Sequence, residues 1–454
     1  MNTLICPLPA FQRLLRALAE DRRRVAFARV GTHSAPPDRE WLVRDFILSP
    51  SGTPAPQQDL VFRVALTSNP PAIPLTPSSL DPLPPAVVGS LSLGDGPWRA
   101  HLWGVVRTDD IIEPLHHLFL VGAGMHTVHI LTPYDQDPSP HSQHRLISSY
   151  QTRWSRTIGA LGGEDIWQRL VRLPIAIIGC GRTGSVVAVT LARLGIRQLT
   201  LIDPDIVETH NLGEMDVVTQ ADVGHSKAQA LAACLRKERE EPGNTEFFSS
   251  LAADIRAIPA SVTSESALAA CKDADVLFCC VDSDAARLAT ALIATLYHAV
   301  LIDIGTGVHF PATNERIHDP QSVLRHRVMG ADVRMILPGD GCLLCVGNLS
   351  RYQQAVEELC HGGPLPSQPQ EWWQQRAGSL RTLNHIAAHV GVQMLQDLVA
   401  ERIRESLWAR IEFDDTGRMT VHYPPTQRPS DSPPCALCAK AGLGDEGLSW
   451  MQPS

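Results

Sequence analysis

Between residues 174 and 202 the hydrophobic pattern changes period twice. Ile175–Ile178 is a continuous, β-branched apolar run, the pattern of a strand buried on both faces of a parallel sheet. Val186, Val187, Leu191 and Leu194 then recur on one helical face, and Gly195 stands where a left-handed C-cap is expected. Leu199–Ile202 restores the strand pattern. Strand, helix and strand within about thirty residues predict a βαβ unit with its strands parallel.

The remaining patterns organise around that unit. Phe11–Arg24 reads as an amphipathic helix, with Leu14, Leu15 and Leu18 on one face. Val25–Val30, Trp41–Leu48, Ala86–Leu93, Trp98–Val106 and His117–Val121 read as strands, and the Pro- and Ser-dense stretch from Ser49 to Pro85 reads as loop-rich. Downstream, Val276–Val281 is a strand, Ala285–Leu292 and Gln374–Ala400 are helical, and Ala409–Phe413 with Met419–His422 form a hairpin about Asp414–Gly417. The expected division is an N-terminal mixed α/β domain (1–133), a linker (134–145), a larger α/β domain (146–445) and a tail (446–454).

Composition narrows the function classes. The 454 residues are 44% hydrophobic and 19% charged, ordinary for a globular protein. A net charge of −9 gives no electrostatic reason to expect nucleic acid. No apolar run is long enough to span a bilayer, and the N-terminus lacks a signal-peptide layout. A cytoplasmic protein is expected, whose eleven cysteines act as thiols or metal ligands rather than disulfides. Cys180, Cys234, Cys271, Cys279 and Cys280 fall in apolar stretches and are expected in the core.

Two constellations carry chemistry. Gly179-Cys180-Gly181-Arg182-Thr183-Gly184 joins the first strand to its helix, and Asp203 ends the next strand. Glycines admit a phosphate to the backbone, the helix N-terminus offers N–H groups, and the acid can accept from ribose hydroxyls. The fold is therefore expected to be Rossmann-like, with a nucleotide at Gly179, Gly181, Gly184 and Asp203; the competing reading is a tight turn with no ligand. Cys342-Leu343-Leu344-Cys345 and Cys435-Ala436-Leu437-Cys438 are two C-x-x-C pairs. Four thiolates satisfy tetrahedral Zn²⁺, and a closed four-sulfur site is structural.

In this order the motifs resemble the ThiF/MoeB/ubiquitin-activating superfamily. Arg153-Trp154-Ser155-Arg156-Thr157-Ile158 looks like the family's R-Y-x-R-Q-I box. Asp203-Pro204-Asp205-Ile206-Val207, Asn211-Leu212 and Asp222-Val223-Gly224-His225-Ser226-Lys227 follow, and Cys280-Val281-Asp282-Ser283 with Arg287 resembles the C-x-D-N…R segment. The resemblance covers roughly 300 residues. It implies adenylation of a carboxylate by ATP with Mg²⁺, a reaction that builds charge on the phosphates and needs fixed cations. On this resemblance Lys227 and Arg156 would face the phosphates, Arg156 being supplied across a homodimer in dimeric relatives. Asp282 would be linked to Mg²⁺, Asp203 and Asp205 would lie at the nucleotide, and Asn211 would polarise the substrate or phosphate region. One position departs. The family's N-L-x-R is here Asn211-Leu212-Gly213-Glu214, so an acid replaces a triphosphate-binding arginine and the cation must come from elsewhere, such as Arg182 or the partner chain.

Cys360, in Glu357-Glu358-Leu359-Cys360-His361-Gly362-Gly363-Pro364, lies where ubiquitin-activating relatives carry a thioester-forming cysteine on a crossover loop. The segment is expected to be exposed and loop-like, with His361 favouring the thiolate and the two acids opposing it. The resemblance thus implies a ubiquitin-like protein with a C-terminal glycine and a conjugating enzyme as partners, in a bacterial conjugation system of antiviral type. The alternatives are a sulfur-carrier adenylyltransferase of the thiamin or molybdopterin type, a silent scaffold, or a peptide-adenylating enzyme of antibiotic synthesis. No rhodanese-like or separate conjugating-enzyme-docking domain is expected at the C-terminus.

In the N-terminal region, Leu66-Thr67-Ser68-Asn69-Pro70 followed by Ser78-Ser79-Leu80-Asp81 is similar in layout to the JAMM/MPN signature H-S-H-P…S-x-x-D. Thr67 and Asn69 replace both histidines, and Asp81 alone cannot hold Zn²⁺. An inactive MPN-like module is expected, the alternative being a Pro-rich loop.

Overall fold

The computed structural model describes residues 2–21, 24–35, 38–50, 60–67, 87–94, 102–108, 111–130, 147–239, 254–309, 328–346, 352–361, 380–414, 416–426 and 433–448. Two compact units emerge: residues 1–155 with 295–298 and 436–454, and residues 156–294 with 299–435.

The first unit is a nine-stranded mixed sheet. Its strands are β1 (Asn2–Pro7), β2 (Arg24–Ala35), β3 (Asp38–Pro50), β4 (Val61–Thr67), β5 (Val87–Gly94), β6 (Leu102–Thr108), β7 (Ile111–Pro114), β8 (His117–Val121) and β9 (His126–His129), in the order β7-β6-β5-β4-β2-β3-β1-β8-β9. Helix α1 (Leu8–Glu20) sends Phe11, Leu14 and Leu18 into a core with Leu4, Trp41 and Phe62, the face its leucine spacing predicts. Strand β4 lies within the stretch from Ser49 to Pro85 expected to be loop-rich. Its Val61, Phe62 and Val64 are buried, and it is bonded on both sides by β2 and β5. Proline density on either side masked a short strand whose own residues are β-formers. The expected linker, 134–145, lies outside the described residues.

Helix α2 (Ile147–Leu161) leads into the second unit. There follow α3 (Glu164–Arg172), β10 (Pro174–Ile178), α4 (Arg182–Leu194), β11 (Gln198–Ile202), α5 (Lys227–Arg239), β12 (Asp254–Ile258), α6 (Glu265–Lys272), β13 (Val276–Cys279), α7 (Asp284–Tyr297), β14 (Val300–His309), β15 (Val328–Ile336), α8 (Tyr352–His361), α9 (Arg381–Val399), β16 (Leu407–Phe413) and β17 (Met419–His422). The strands form one eight-stranded sheet, β12-β11-β10-β13-β14-β15-β16-β17. The five strands from β12 to β14 pair in parallel, and β14 to β17 pair antiparallel. The α/β class with a mostly parallel sheet is therefore as expected. Strands β10 and β13 are buried along their apolar runs, as strands covered on both faces must be.

Chain order fixes where a ligand can enter. From β10 the chain winds outward through β11 to β12, then returns to the other side of β10 as β13. This reversal opens a crevice at the carboxyl ends of β10 and β13, the general binding position in open α/β sheets. Gly195, at φ +98°, caps α4 in the left-handed conformation as its position predicts.

Candidate nucleotide crevice and cysteine cluster

The glycine turn lies in this crevice, and its glycines meet different demands. Gly179 adopts φ +88°, and a Cβ there would stand 2.8 Å from the carbonyl oxygen of Cys280. A Cβ on Gly184 would lie 1.8 Å from the Gly179 carbonyl oxygen. Both positions are closed to any side chain, because the turn packs backbone to backbone against Cys280 after β13 and against the start of α4. Gly181 is different: a Cβ there would meet nothing within 4 Å. Its backbone faces open space at the N-terminus of α4, where N–H groups and the helix dipole favour an anion.

Asp203 ends β11 beside this turn and is buried. One carboxylate oxygen accepts from the Cys180 amide at 2.6 Å and the other from the Asp205 amide at 2.8 Å. Burial pushes its carboxyl above the usual carboxylate range, against the pull of these two amides and of Lys227. Asp203 therefore shapes the turn as well as presenting an acceptor, since each oxygen has a second lone pair.

Lys227, the first residue of α5, places Nζ 2.8 Å from Asp205 Oδ2. The lysine side chain is 13% exposed and the aspartate 63%, so a shielded cation is held by an acid at the lip. Asn211 is buried in the 3₁₀ turn Thr209–Gly213, where its Oδ1 accepts from the Glu208 amide. Glu214 follows that turn and sets Oε2 3.1 Å from Nε of Arg182, the first residue of α4. The two residues singled out as an anomaly and its compensation are thus paired with each other.

Asp282 and Ser283 are exposed between β13 and α7, at the carboxyl end of the strand beside β10. Behind them Arg287 donates to the Val281 carbonyl at 2.9 Å and pairs with Asp303. Gly179, Gly181, Gly184, Asp203, Asp205, Lys227 and Asp282 are therefore gathered at the carboxyl ends of β10, β11 and β13.

Two candidates fall outside this group. Arg156 is exposed on α2. Cys360 is exposed, but in the last turn of α8 rather than in the loop expected for it. Glu357 and Glu358 continue a helix that Tyr352 begins, and residues 362–379 lie outside the described residues. The helix was legible in Ala355, Val356 and Leu359; the flanking Gly-Gly-Pro obscured it.

The other constellation is a cluster of thiols. The sulfurs of Cys342, Cys345, Cys435 and Cys438 lie within 4.8 Å of one another. Cys342 and Cys345 stand 3.8 Å apart, and each is 3.3 Å from Cys435. Four sulfurs about 2.3 Å from a tetrahedral Zn²⁺ would stand roughly 3.8 Å apart. The residues fit zinc.

Sequence reading missed two sets of residues around the crevice. The Asp216 amide donates to Ser185 Oγ at 3.0 Å, while Arg381 pairs with the Asp216 carboxylate. Their separation of 165 positions left no local signal. Asp303 is fully buried on β14, with Arg334 Nη1 2.7 Å from its Oδ2. A signal did exist here, because a charge inside an apolar strand requires a partner.

Among known proteins, the ThiF family model matches residues 154–434. Adenylyltransferase and sulfurtransferase MOCS3 of Mus musculus is 41% identical over 69 residues, which is 15% of this chain and 15% of that protein. The ATP-dependent ubiquitin transferase-like protein Cap2 of Enterobacter hormaechei is 38% identical over 63 residues, 14% of this chain and 10% of that protein. The crystal structure of E. coli MccB with ATP superposes with a TM-score of 0.42 at 19% identity, covering 63% of this chain and 74% of MccB. The chain thus matches only a small share of the length of these curated relatives. No helix among the described residues is long and apolar enough to cross a membrane. With a match that extends over more than half of its residues, from before the glycine turn to the second cysteine pair, the chain belongs to the ThiF family.

Proposed function

We propose that the protein is an ATP-dependent activator of a small ubiquitin-like protein. The observation that carries this reading is the gathering of the glycine turn, Asp203, Lys227 and Asp282 at the reversal point of the sheet. Gly179, Gly181 and Gly184 would admit the phosphates, Asp203 would accept from the ribose, and Asp205 would keep Lys227 at the lip. Asn211 would complete the wall of the crevice. Asp282 is the residue for Mg²⁺, which would neutralise charge on the phosphates. A carboxylate oxygen of the partner's C-terminal glycine would attack the α-phosphorus. The bond to the bridging oxygen breaks, and pyrophosphate leaves with the electron pair.

In the next step the thiolate of Cys360 would attack the activated carbonyl, forming a thioester and releasing AMP. A conjugating enzyme would then take the acyl group. Exposure of Cys360 supports this step. Arg156, exposed on α2, would act on the phosphates of a partner subunit in a homodimer. Zn²⁺ at Cys342, Cys345, Cys435 and Cys438 would be structural. The first unit is read as an inactive MPN-like module: Thr67 closes β4, while Asn69 and Asp81 lie outside the described residues. A cytoplasmic bacterial conjugation pathway of antiviral type is the setting we infer.

A sulfur-carrier adenylyltransferase is the second reading, favoured by the likeness to MOCS3 and by the helical setting of Cys360. Incubation with ATP and a glycine-terminated ubiquitin-like protein separates the two. The activator reading requires pyrophosphate release and a DTT-sensitive conjugate that Cys360→Ala abolishes. Pyrophosphate release with no such conjugate selects the sulfur-carrier reading.

A further inference from the structure

Two acids pair with cations that an anion in the crevice would need: Asp205 with Lys227, and Glu214 with Arg182. Glu214 Oε2 is 3.1 Å from Nε of Arg182, at the first turn of α4. The side chains are 30% and 36% exposed, yet Oε2 itself is out of contact with solvent. The backbone of Glu214 is fastened on both sides. Its amide donates to the Asn211 carbonyl at 3.0 Å. Beyond it, Arg381 donates to the Met215 carbonyl at 3.4 Å and pairs with Asp216, and the Asp216 amide donates to Ser185 Oγ at 3.0 Å. The carboxylate lies beside Arg182, the first residue of α4, on the side where the helix N-terminus would favour a phosphate.

We propose that Glu214 is a specificity determinant that weakens nucleotide binding in proportion to phosphate charge. It engages Arg182 before any nucleotide arrives, and it opposes every phosphate brought to the same helix end. A triphosphate is penalised most, a monophosphate less and a nucleoside not at all. The inference rests on the ATP reading of this crevice and adds to it a residue that sets the relative affinity for substrate and nucleotide product. The position is thus a tuned one: replacing the acid tightens the substrate complex.

Isothermal titration of the full-length protein with adenosine, AMP and ATP tests this. Glu214→Gln keeps the shape and removes the charge. The ATP dissociation constant should fall by about threefold to tenfold, that of AMP by less, and that of adenosine should stay within about 1.5-fold. Glu214→Ala should reproduce the order, and Glu214→Asp should stay near wild type. An ATP constant that shifts by less than about 1.5-fold in both neutral variants overturns the proposal. So does an equal shift for adenosine and ATP, which would mark a change of pocket shape. If the wild type binds adenosine and ATP but the ratio is unmoved, only this proposal falls. If neither wild type nor variant binds ATP, the nucleotide reading falls with it.

Discussion

Asp303 on β14 and Arg334 on β15 face each other across an antiparallel register pair, with Nη1 2.7 Å from Oδ2 and both side chains buried. The pair is the inner end of a charged ladder on one face of the sheet. Arg287 pairs with Asp303 from α7, and Arg334 Nη2 lies 2.8 Å from Asp332. Asp332 also accepts from Trp408 Nε1 at 2.7 Å and from Arg410 Nε at 2.9 Å. Trp408 is stacked by both guanidinium groups, Arg334 at 4.7 Å and Arg410 at 4.9 Å. Burial alone would raise the Asp332 carboxyl, but Arg410, Arg334 and Trp408 outweigh it and hold the group below its ordinary range.

Removing one charge from the buried end strands the others. Asp303→Ala leaves Arg334 and Arg287 without their carboxylate and should cost about 3–5 kcal/mol in urea unfolding. Adding Arg334→Met should restore part of that loss, since Arg287 is then the one guanidinium left of the two that Asp303 paired. A loss below about 1 kcal/mol in the single variant would contradict this account of the ladder.

The glycines of the turn should separate folding from binding. Gly184→Ala puts a methyl 1.8 Å from the Gly179 carbonyl oxygen, so the turn must move; melting temperature should drop by several degrees and nucleotide binding should be lost. Gly181→Ala meets no protein atom within 4 Å. Its melting temperature should match wild type while ATP affinity falls by about tenfold or more. Equal behaviour of the two variants in both measurements would show that Gly181 does not face a ligand.

The cysteine cluster predicts one zinc per chain by elemental analysis. A strong chelator should remove the metal and lower the melting temperature, and Cys345→Ser should reduce zinc content and stability together. Retention of full stability after complete metal removal would rule out a structural role.

How much of this was legible follows from the range of each interaction. Gly179–Gly184, Asp203 and the C-x-x-C pairs announce themselves because their chemistry is written in short spacings. The helix of Cys360 and the strand Val61–Thr67 were hidden by neighbouring Gly and Pro, which set local propensity without deciding the elements beside them. The Glu214–Arg182 pair was readable only as an anomaly and a candidate remedy. Their contact depends on how the turn Thr209–Gly213 folds back on α4. The Asp216–Arg381 contact is a product of tertiary structure with no local pattern; the charge of Asp303 inside an apolar strand announces that a partner is needed, but only tertiary register makes that partner Arg334.

Buried His298 gives a pH signature. In the first unit its Nε2 lies 2.6 Å from the Val43 carbonyl oxygen. Burial lowers its pKa from 6.5 to about 4, against the carbonyl contact that raises it. The folded value is the depressed one, so the neutral ring is favoured by folding. Its contribution is complete above pH 6.5 and is lost as pH falls toward 4. A shift of that size corresponds to roughly 3 kcal/mol. Urea unfolding of wild type at pH 7 and pH 4.5 should show this loss, and His298→Gln should lose correspondingly less over the same interval.

The central claim is that this crevice transfers AMP from ATP to a carboxylate, with Lys227 among its cations. ATP–pyrophosphate exchange by the purified full-length protein, supplied with a ubiquitin-like protein ending in glycine, tests it most directly. Wild type should exchange only when that protein is present, and Lys227→Ala should lose about a hundredfold or more while keeping its melting temperature. Absence of exchange in the wild type, or exchange undiminished in Lys227→Ala, would contradict the account.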